Sequence, residues 1–420
     1  MTNKALVATA VVSASALILS ACGNAGPGGG DEDAFTDGKV VIAVLNDQSG
    51  VYKDLSGPNS VKAVEMAVAD YKAEYGDDAV IDEIEVITAD HQNKPDIANT
   101  KAQEMYERQG ADIILDVPTS SAALAVAEQA NSHKKLHFNI GAATTELTGA
   151  QCNPYTFHYA YDTYMLANGT GKTVTENGAT NWQIIYPDYA FGQDMNKSFT
   201  TAIEAAGGTV GGHIATPFPN DNFSTFLTKA AAESPDVIGT MQAGGDLINL
   251  VKQYGEAGLA DQGIGLAVGL MFITDIHSLG VEPFKGVTFT DAWYWNMDDE
   301  AREWADKFLE ETGGRPSFAH AGNYSAAKQY LEAVQAEATD DADTVVGHLE
   351  GKEVDDVFLR DGQFRAEDHR VIHDVYLAAV KDAADVSEDW DYQEIVSTIP
   401  AADAFRPVEE SIAAGCNLGD

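Results

Sequence analysis

The chain has 420 residues, of which 66 are acidic and 25 basic, for a formal net charge of -41 at pH 7. An excess of this size excludes the basic footprint that nucleic acid or an anionic lipid surface requires. It reads as a heavily solvated acidic surface and does not by itself mark an acidic site.

In chain order, Lys4 and the apolar run Ala5 to Leu19 have the layout of a secretory signal, too short to span a bilayer comfortably. Leu19, Ser20, Ala21 and Cys22 resemble the bacterial lipoprotein box, in which the chain is cut before a cysteine whose thiol carries diacylglycerol. The resemblance implies a signal peptide over 1–21 and a lipid anchor at Cys22; the alternative is an ordinary signal with an incidental cysteine. Two or more acyl chains make such an anchor stable. Residues 22–38, rich in Gly, Asp and Glu, cannot bury a core and predict a flexible tether. With Cys22 committed to lipid, Cys152 and Cys416 remain as an even pair in an oxidising compartment and predict a disulfide. No later segment approaches twenty uninterrupted apolar residues.

From Lys39 the pattern is strand, loop, helix, repeated. VVIAVLND predicts a strand, and Val61, Val64, Val68 and Tyr71 recur at helical spacing before Gly76. IEVITAD, a helix from about Ile97 to Arg108, ADIILDV, a helix from Ala122 to about Ser132, and KLHFNI continue the series. NWQIIYP, GTVGGHIATPF, SPDVIGTM and GIGLAVG open a second series with the same grammar. Alternation of this kind implies parallel, doubly wound sheets, with ligands held at the loops beyond the carboxyl ends of the strands. Those loops are 49–60, 118–121, 141–146, 188–192, 242–246 and 272–277. HRVIHDVYLAAV reads as one further strand.

SGVYKDLSGPNS, DHQNKPDIANTKAQEM, the PTSS and GAATTEL loops, FHYAYDTYMLANGT, QAGGDLINLVKQYGEAGL, FITDIHSLG and WDYQEIVSTIPAADAFRP occur in that order across 39–416. Together they resemble the substrate-binding proteins of ABC importers, of the leucine/isoleucine/valine-binding type. The resemblance implies the type I periplasmic-binding-protein fold, α/β with two doubly wound parallel-sheet lobes joined by a multi-crossing hinge. Lobe 1 would comprise 39–156 plus 289–370, and lobe 2 157–288 plus 371–420, with crossings near Phe157, Thr288 to Trp293 and Arg370. It further implies a monomeric extracytoplasmic receptor that closes its inter-lobe cleft on a small carboxylate, a branched-chain amino acid or an aromatic acid, serving ABC permease subunits with a separate ATPase and touching membrane only through its lipid anchor. A sensor of the same fold, or a receptor for urea or short amides, is the alternative.

Pro118 to Ser121 join a strand to a helix, so hydroxyls and free N–H groups converge where a carboxylate can bind; the same residues read as ordinary helix caps. The resemblance assigns Thr119 and Ser120, with Ala142, Ala143 and Thr144 of the next loop, to the ligand's carboxylate. In the second lobe it makes Tyr189 the aromatic that closes over the ligand, Phe191 an added wall, and Asp246 or Asp275 the acid for an ammonium group. Both acids also read as cap or turn residues. Tyr52 is expected to line the cleft, and Trp293, Tyr294 and Trp295 to pack at the core or hinge.

An enzyme is not supported: the chain has no G-x-S-x-G elbow, Walker A loop or H-E-x-x-H, and no catalytic residue, metal or cofactor is expected. His369 and His373, four apart on a predicted strand, are too weak a pattern for a zinc site. The anchor is directly testable. Cys22→Ser should release protein into the medium, and a variant that stays on the membrane to the same extent as wild type would remove the lipoprotein reading.

Overall fold

The computed structural model describes Phe35, Thr36 and residues 38–419. The expected signal segment, the lipidation site at Cys22 and most of the tether therefore lie outside the described residues. Val40–Asn46 (β1) is buried along its whole length, as an apolar run must be when helices cover both faces of a sheet. Ser56 then accepts the Gly57 N–H at 2.7 Å, and Pro58 fits the first turn of Gly57–Tyr75 (α1). The buried stripe of α1 contains Val64, Val68 and Tyr71 as expected, with Ala63 and Ala67 between them. Val61 is only half-buried.

Ile84–Asp90 (β2), Pro95–Arg108 (α2), Ile113–Asp116 (β3), Ser120–His133 (α3), Leu136–Asn139 (β4) and Thr156–His158 (β5) complete the first lobe's sheet. Its strands are all parallel, in the order β2-β1-β3-β4-β5. After Thr163–Leu166 (α4), a π-turn over Ala167–Gly171 and Lys172–Glu176 (α5), the second series begins. Asn181–Pro187 (β6), Ala190–Ala205 (α6), Thr209–Thr216 (β7), Ser224–Ala231 (α7), Val237–Thr240 (β8), Gly244–Glu256 (α8), Gly265–Val268 (β9) and Ile273–Leu279 (α9) build a second parallel sheet, ordered β7-β6-β8-β9.

Thr288–Asp291 (β10), Asp299–Thr312 (α10), Phe318–Glu337 (α11) and Ala342–Leu349 (α12) follow. Helix α11 returns to the first lobe and packs along α1, where Asn323 Nδ2 donates to Ser60 Oγ at 3.2 Å and Tyr324 Oη to Asp70 at 2.7 Å. Glu353–Val354 (β11), Gly362–Phe364 (β12) and Val371–Ile372 (β13) form a small antiparallel sheet, while Val375–Val380 (β14) pairs with β10 and with Gln393–Ile399 (β15). HRVIHDVYLAAV is thus not one strand. It breaks at His373 and Asp374 because its two halves serve different sheets, and the His373 ring turns inward, with Nε2 2.7 Å from the Ala160 carbonyl. His369 faces Glu350 instead, 3.0 Å away.

The segments expected from sequence to cross between lobes are fastened to each other. His158 forms a parallel bridge with Arg370, and the Arg370 guanidinium, 1% exposed, pairs with Asp162 at 2.8 Å. Thr170 Oγ1 in the π-turn accepts the Thr290 N–H of β10 at 2.9 Å. The C-terminal segment reaches back to the first lobe: Arg406 donates to the Thr148 carbonyl at 2.8 Å, and Cys152 is disulfide-bonded to Cys416 across 264 positions of sequence. Trp293 and Trp295 are fully buried near this junction. Breaking so long a loop, by reduction or by Cys152→Ser with Cys416→Ser, should lower stability by roughly 5 kcal/mol at most. Urea denaturation measures it, and an unchanged midpoint after reduction would show that the bond constrains nothing.

Candidate ligand-binding site

In a sheet ordered β2-β1-β3-β4-β5 the winding reverses between β1 and β3, so a crevice opens beyond their carboxyl ends. Its first wall is set by Asp116, the last residue of β3. Asp116 and Val117 have φ of 80° and 55°, a left-handed pair that non-glycine residues seldom adopt, and this turn swings Pro118 and Thr119 into the crevice. The Asp116 carboxylate is fully buried and accepts Asn46 Nδ2 at 2.9 Å and Ser56 Oγ at 2.7 Å. Its carbonyl accepts the N–H groups of Ile140 and Gly141 at 3.2 and 2.9 Å. One residue thereby gathers the loops after β1, β3 and β4. Gly141 is required there, since a Cβ would stand 2.6 Å from Pro118 Cα and 2.7 Å from Asp116 Oδ1. Burial raises the Asp116 pKa against the lowering effect of its hydrogen bonds.

Asp47 shapes the loop after β1. Its carboxylate accepts the N–H groups of Gly50 and Tyr52 at 2.7 and 2.8 Å, which fixes the turn that delivers Tyr52 to the cleft.

The second lobe supplies the opposing wall from the loops after β6, β8 and β9. The hydroxyls of Tyr52 and Tyr189 lie 2.6 Å apart, and the Tyr189 ring stacks on Phe218 at 4.4 Å. Burial, the largest cause for both tyrosines, raises their pKa values and keeps them protonated. The Gly245 N–H donates to the Val51 carbonyl at 2.9 Å; its neighbour Gly244, at φ 54°, admits no side chain because a Cβ would stand 2.3 Å from that carbonyl. Asp194 of α6 accepts the Thr145 N–H at 2.7 Å and Thr163 Oγ1 at 2.8 Å. These contacts hold the lobes together around a space lined by Tyr52, Leu55, Pro118, Gly141, Tyr161, Tyr189, Phe191, Ala243 and Leu270. The cavity measures about 10 Å³, on a scale where one water occupies roughly 10–15 Å³. Larger grooves are open to solvent: one of about 660 Å³ lies beside Glu353 and Asp361, and one of about 500 Å³ is lined by Lys53 and Asp54 of the loop after β1 and by Thr274 and His277 of the segment after β9.

The residues singled out from sequence take different positions. Tyr52, Tyr189 and Phe191 line the cavity. Ser120 begins α3 with its Oγ buried and without a partner, whereas Thr119 Oγ1 donates to Asn93. The carbonyl of Ala142 accepts Asn139 Nδ2 at 2.8 Å, that of Ala143 the Thr163 N–H at 2.9 Å, and Thr144 Oγ1 caps the short turn that follows it. Asp275 accepts the Phe272 N–H at 2.9 Å, closing its own helix start. Asp246 accepts the Asn220 N–H at 3.0 Å. Burial pushes both carboxyls up to about 7, and neither is among the lining residues. Reading by sequence missed Asp116, Asp47, Tyr161 and Leu270. Only Tyr161, within FHYAYDTY, stood in a motif already singled out.

Removing the carboxylate in Asp116→Ala should cost about 1–3 kcal/mol for each buried donor left unpaired, while Asp116→Asn, which keeps an acceptor oxygen, should cost less. Urea denaturation of both variants checks this; equal losses would mean that shape, not hydrogen bonding, holds the wall.

A family model described as periplasmic binding protein matches residues 39–385. Among solved structures, a periplasmic binding protein from Burkholderia mallei is 40% identical, with a TM-score of 0.85, covering 89% of this chain and 98% of its own. A branched chain amino acid ABC transporter periplasmic ligand-binding protein from Burkholderia xenovorans is 34% identical, with a TM-score of 0.78 and the same coverage. A solute binding protein of an ABC transporter from Rhodopseudomonas palustris, solved with 3,4-dihydroxy benzoic acid, shares the fold at 22% identity, with a TM-score of 0.76 over 87% of this chain and 98% of its own. No curated protein matches significantly. With parallel lobes that meet at their strand ends and a match over most of its length, the chain belongs to the periplasmic binding protein family, in its leucine-binding-protein-like type I branch of solute receptors, which are not enzymes.

Proposed function

We propose that this chain is the extracytoplasmic, lipid-anchored receptor of an ABC importer, taking a small carboxylate, either a branched-chain amino acid or an aromatic acid, into the cleft between its lobes. The observation that carries this reading is the cavity itself, enclosed by loops from the carboxyl ends of both parallel sheets and shut by the Tyr52–Tyr189 contact. A space of about one water cannot admit a solute, so the lobes must part for entry and close afterwards. The solute's carboxylate would meet the free N–H groups at the start of α3 and the unpartnered Ser120 Oγ. Tyr52, Tyr189 and Phe191 would cover it. Permease subunits with a separate ATPase would recognise the closed form, because a ligand shifts a two-state equilibrium only through its differential affinity for the states. The lobes would divide at 157, 289 and 371, with the receptor acting as a monomer anchored through Cys22. A two-sided grip by Tyr52, Ser120 and Tyr189 supports import and sensing equally at the level of binding, and the 34% identical relative, an ABC transporter ligand-binding protein, favours import.

Ser120→Ala should weaken a carboxylate ligand by about 1–3 kcal/mol, measured by calorimetry with a carboxylate found in a thermal-shift screen. Tyr189→Ala should favour the open form while leaving the first wall intact. Small-angle scattering with and without that ligand gives the direct check: the radius of gyration should fall on binding, and an unchanged value would remove closure from the mechanism.

A further inference from the structure

The C-terminal segment after β15 joins no sheet, yet it runs from the third expected crossing to the loop after β4. It begins where the Ala401 N–H donates to Asp374 at 3.0 Å. The Arg370 guanidinium then sits 4.0 Å from the centre of the Phe405 ring, whose other neighbour is His373. Arg406 donates through Nη2 to the carbonyls of Thr145 and Thr148 at 3.1 and 2.8 Å, and through Nε to the fully buried Ser411 Oγ at 3.1 Å. Val408–Ala413 (α14) follows, and Cys416 closes the segment onto Cys152.

What this segment holds is the short 3-10 turn Thr145–Thr148, part of the same loop that gives Gly141 to the cavity. The turn is gripped at both ends. At its start the Thr145 N–H and Oγ1 donate to Asp194 of the second lobe at 2.7 and 2.9 Å. At its end the carbonyls meet Arg406. A helical turn exposes N–H groups at one end and carbonyls at the other, so an acid at the first and a guanidinium at the second complement it. So short a turn has little stability of its own, and its placement depends on what holds it. Parting of the lobes would separate Asp194 from Thr145, whereas the Arg406 grip and the disulfide stay with the turn. With Cys152 bonded to Cys416 the segment is covalently tied at both ends. Without that bond one end would rest on hydrogen bonds that water can replace.

We propose that residues 400–416 form a strap that positions the Thr145–Thr148 turn for Asp194, with Arg406 as its positioning residue, so that solute affinity depends on an oxidised Cys152–Cys416 bond. The claim on affinity rests on the receptor reading above; the claim on positioning does not. Hydrogen exchange of the purified protein without solute, read by mass spectrometry, tests the positioning. In Arg406→Ala, and in the double variant Cys152→Ser with Cys416→Ser, the amides of 144–149 should exchange more than about tenfold faster while those of β1 keep the wild-type rate. An unchanged rate at the turn in either variant, or equal acceleration at β1, overturns the strap.

Calorimetry with benzoate and with L-leucine tests the affinity. Whichever binds wild type should bind Arg406→Ala, the double cysteine variant and Asp194→Ala at least about fivefold more weakly, and Arg406→Ala combined with Asp194→Ala should lose no more than the weaker-binding single variant, because both act through one turn. A strap that merely stabilises the fold would lower the unfolding midpoint and leave these dissociation constants in place. Unchanged constants, or losses that multiply, overturn the link to the cleft. Binding of neither probe overturns the solute classes proposed above and with them the claim on affinity, while the exchange result decides the strap alone.

Discussion

The buried carboxylate of Asp116 is the point on which the cleft depends. A strand-to-helix loop will normally spread its N–H groups toward water. Here the left-handed pair at Asp116 and Val117 folds the chain back sharply, and the conformation persists because the side chain and carbonyl of the same residue are held from two other loops. Backbone strain of order 1–3 kcal/mol is sustainable only where the surroundings over-determine it. The result is that Tyr52, Pro118 and Gly141 reach one wall from three separate segments of sequence.

Closing the second wall onto that one uses few and short-range contacts. Tyrosine hydroxyls, one glycine N–H and the Asp194 carboxylate bridge the lobes. None of these is an ion pair, so the molecule's -41 charge neither drives nor opposes closure through them. Hydrogen bonds of about 1 kcal/mol each between neutral groups, and somewhat more to the Asp194 carboxylate, are strong enough to define this geometry and weak enough to be exchanged.

Sequence periodicity made most of the scaffold legible because helices alternate with strands buried on both faces, and that alternation leaves long apolar runs between turn residues. It failed at HRVIHDVYLAAV, where β-branched residues gave one strand signal while His373 and Asp374 divide the run between two sheets. Of the residues expected at the site, Tyr52 from the first loop and Tyr189 and Phe191 from the family resemblance line the cavity. Sequence could not separate acids that face a ligand from acids that cap a helix, because Asp246 and Asp275 have the same local sequence context in either case. Asp116 was invisible for a different reason. Its role lies in φ and in contacts 60 to 70 positions away along the chain, and neither is written in its neighbours.

The junction between lobes limits what motion the proposed closure can use. Arg370 is buried, and desolvation pulls its pKa down to about 10 even with Asp162 beside it. A charge so placed is costly to uncover from its partner, since breaking a buried pair leaves an uncompensated ion. Asp162 also caps α4 through the Met165 N–H at 2.8 Å, so the ion pair ties the first crossing to the third, while Thr170 and Thr290 tie the π-turn to the second. Crossings linked in this way cannot bend independently. In the proposed opening the lobes would therefore turn as rigid bodies about one shared axis, with backbone change concentrated in the few residues on either side of the pair. The Tyr52–Tyr189 and Gly245–Val51 contacts between the two walls are the ones such a rotation would have to separate.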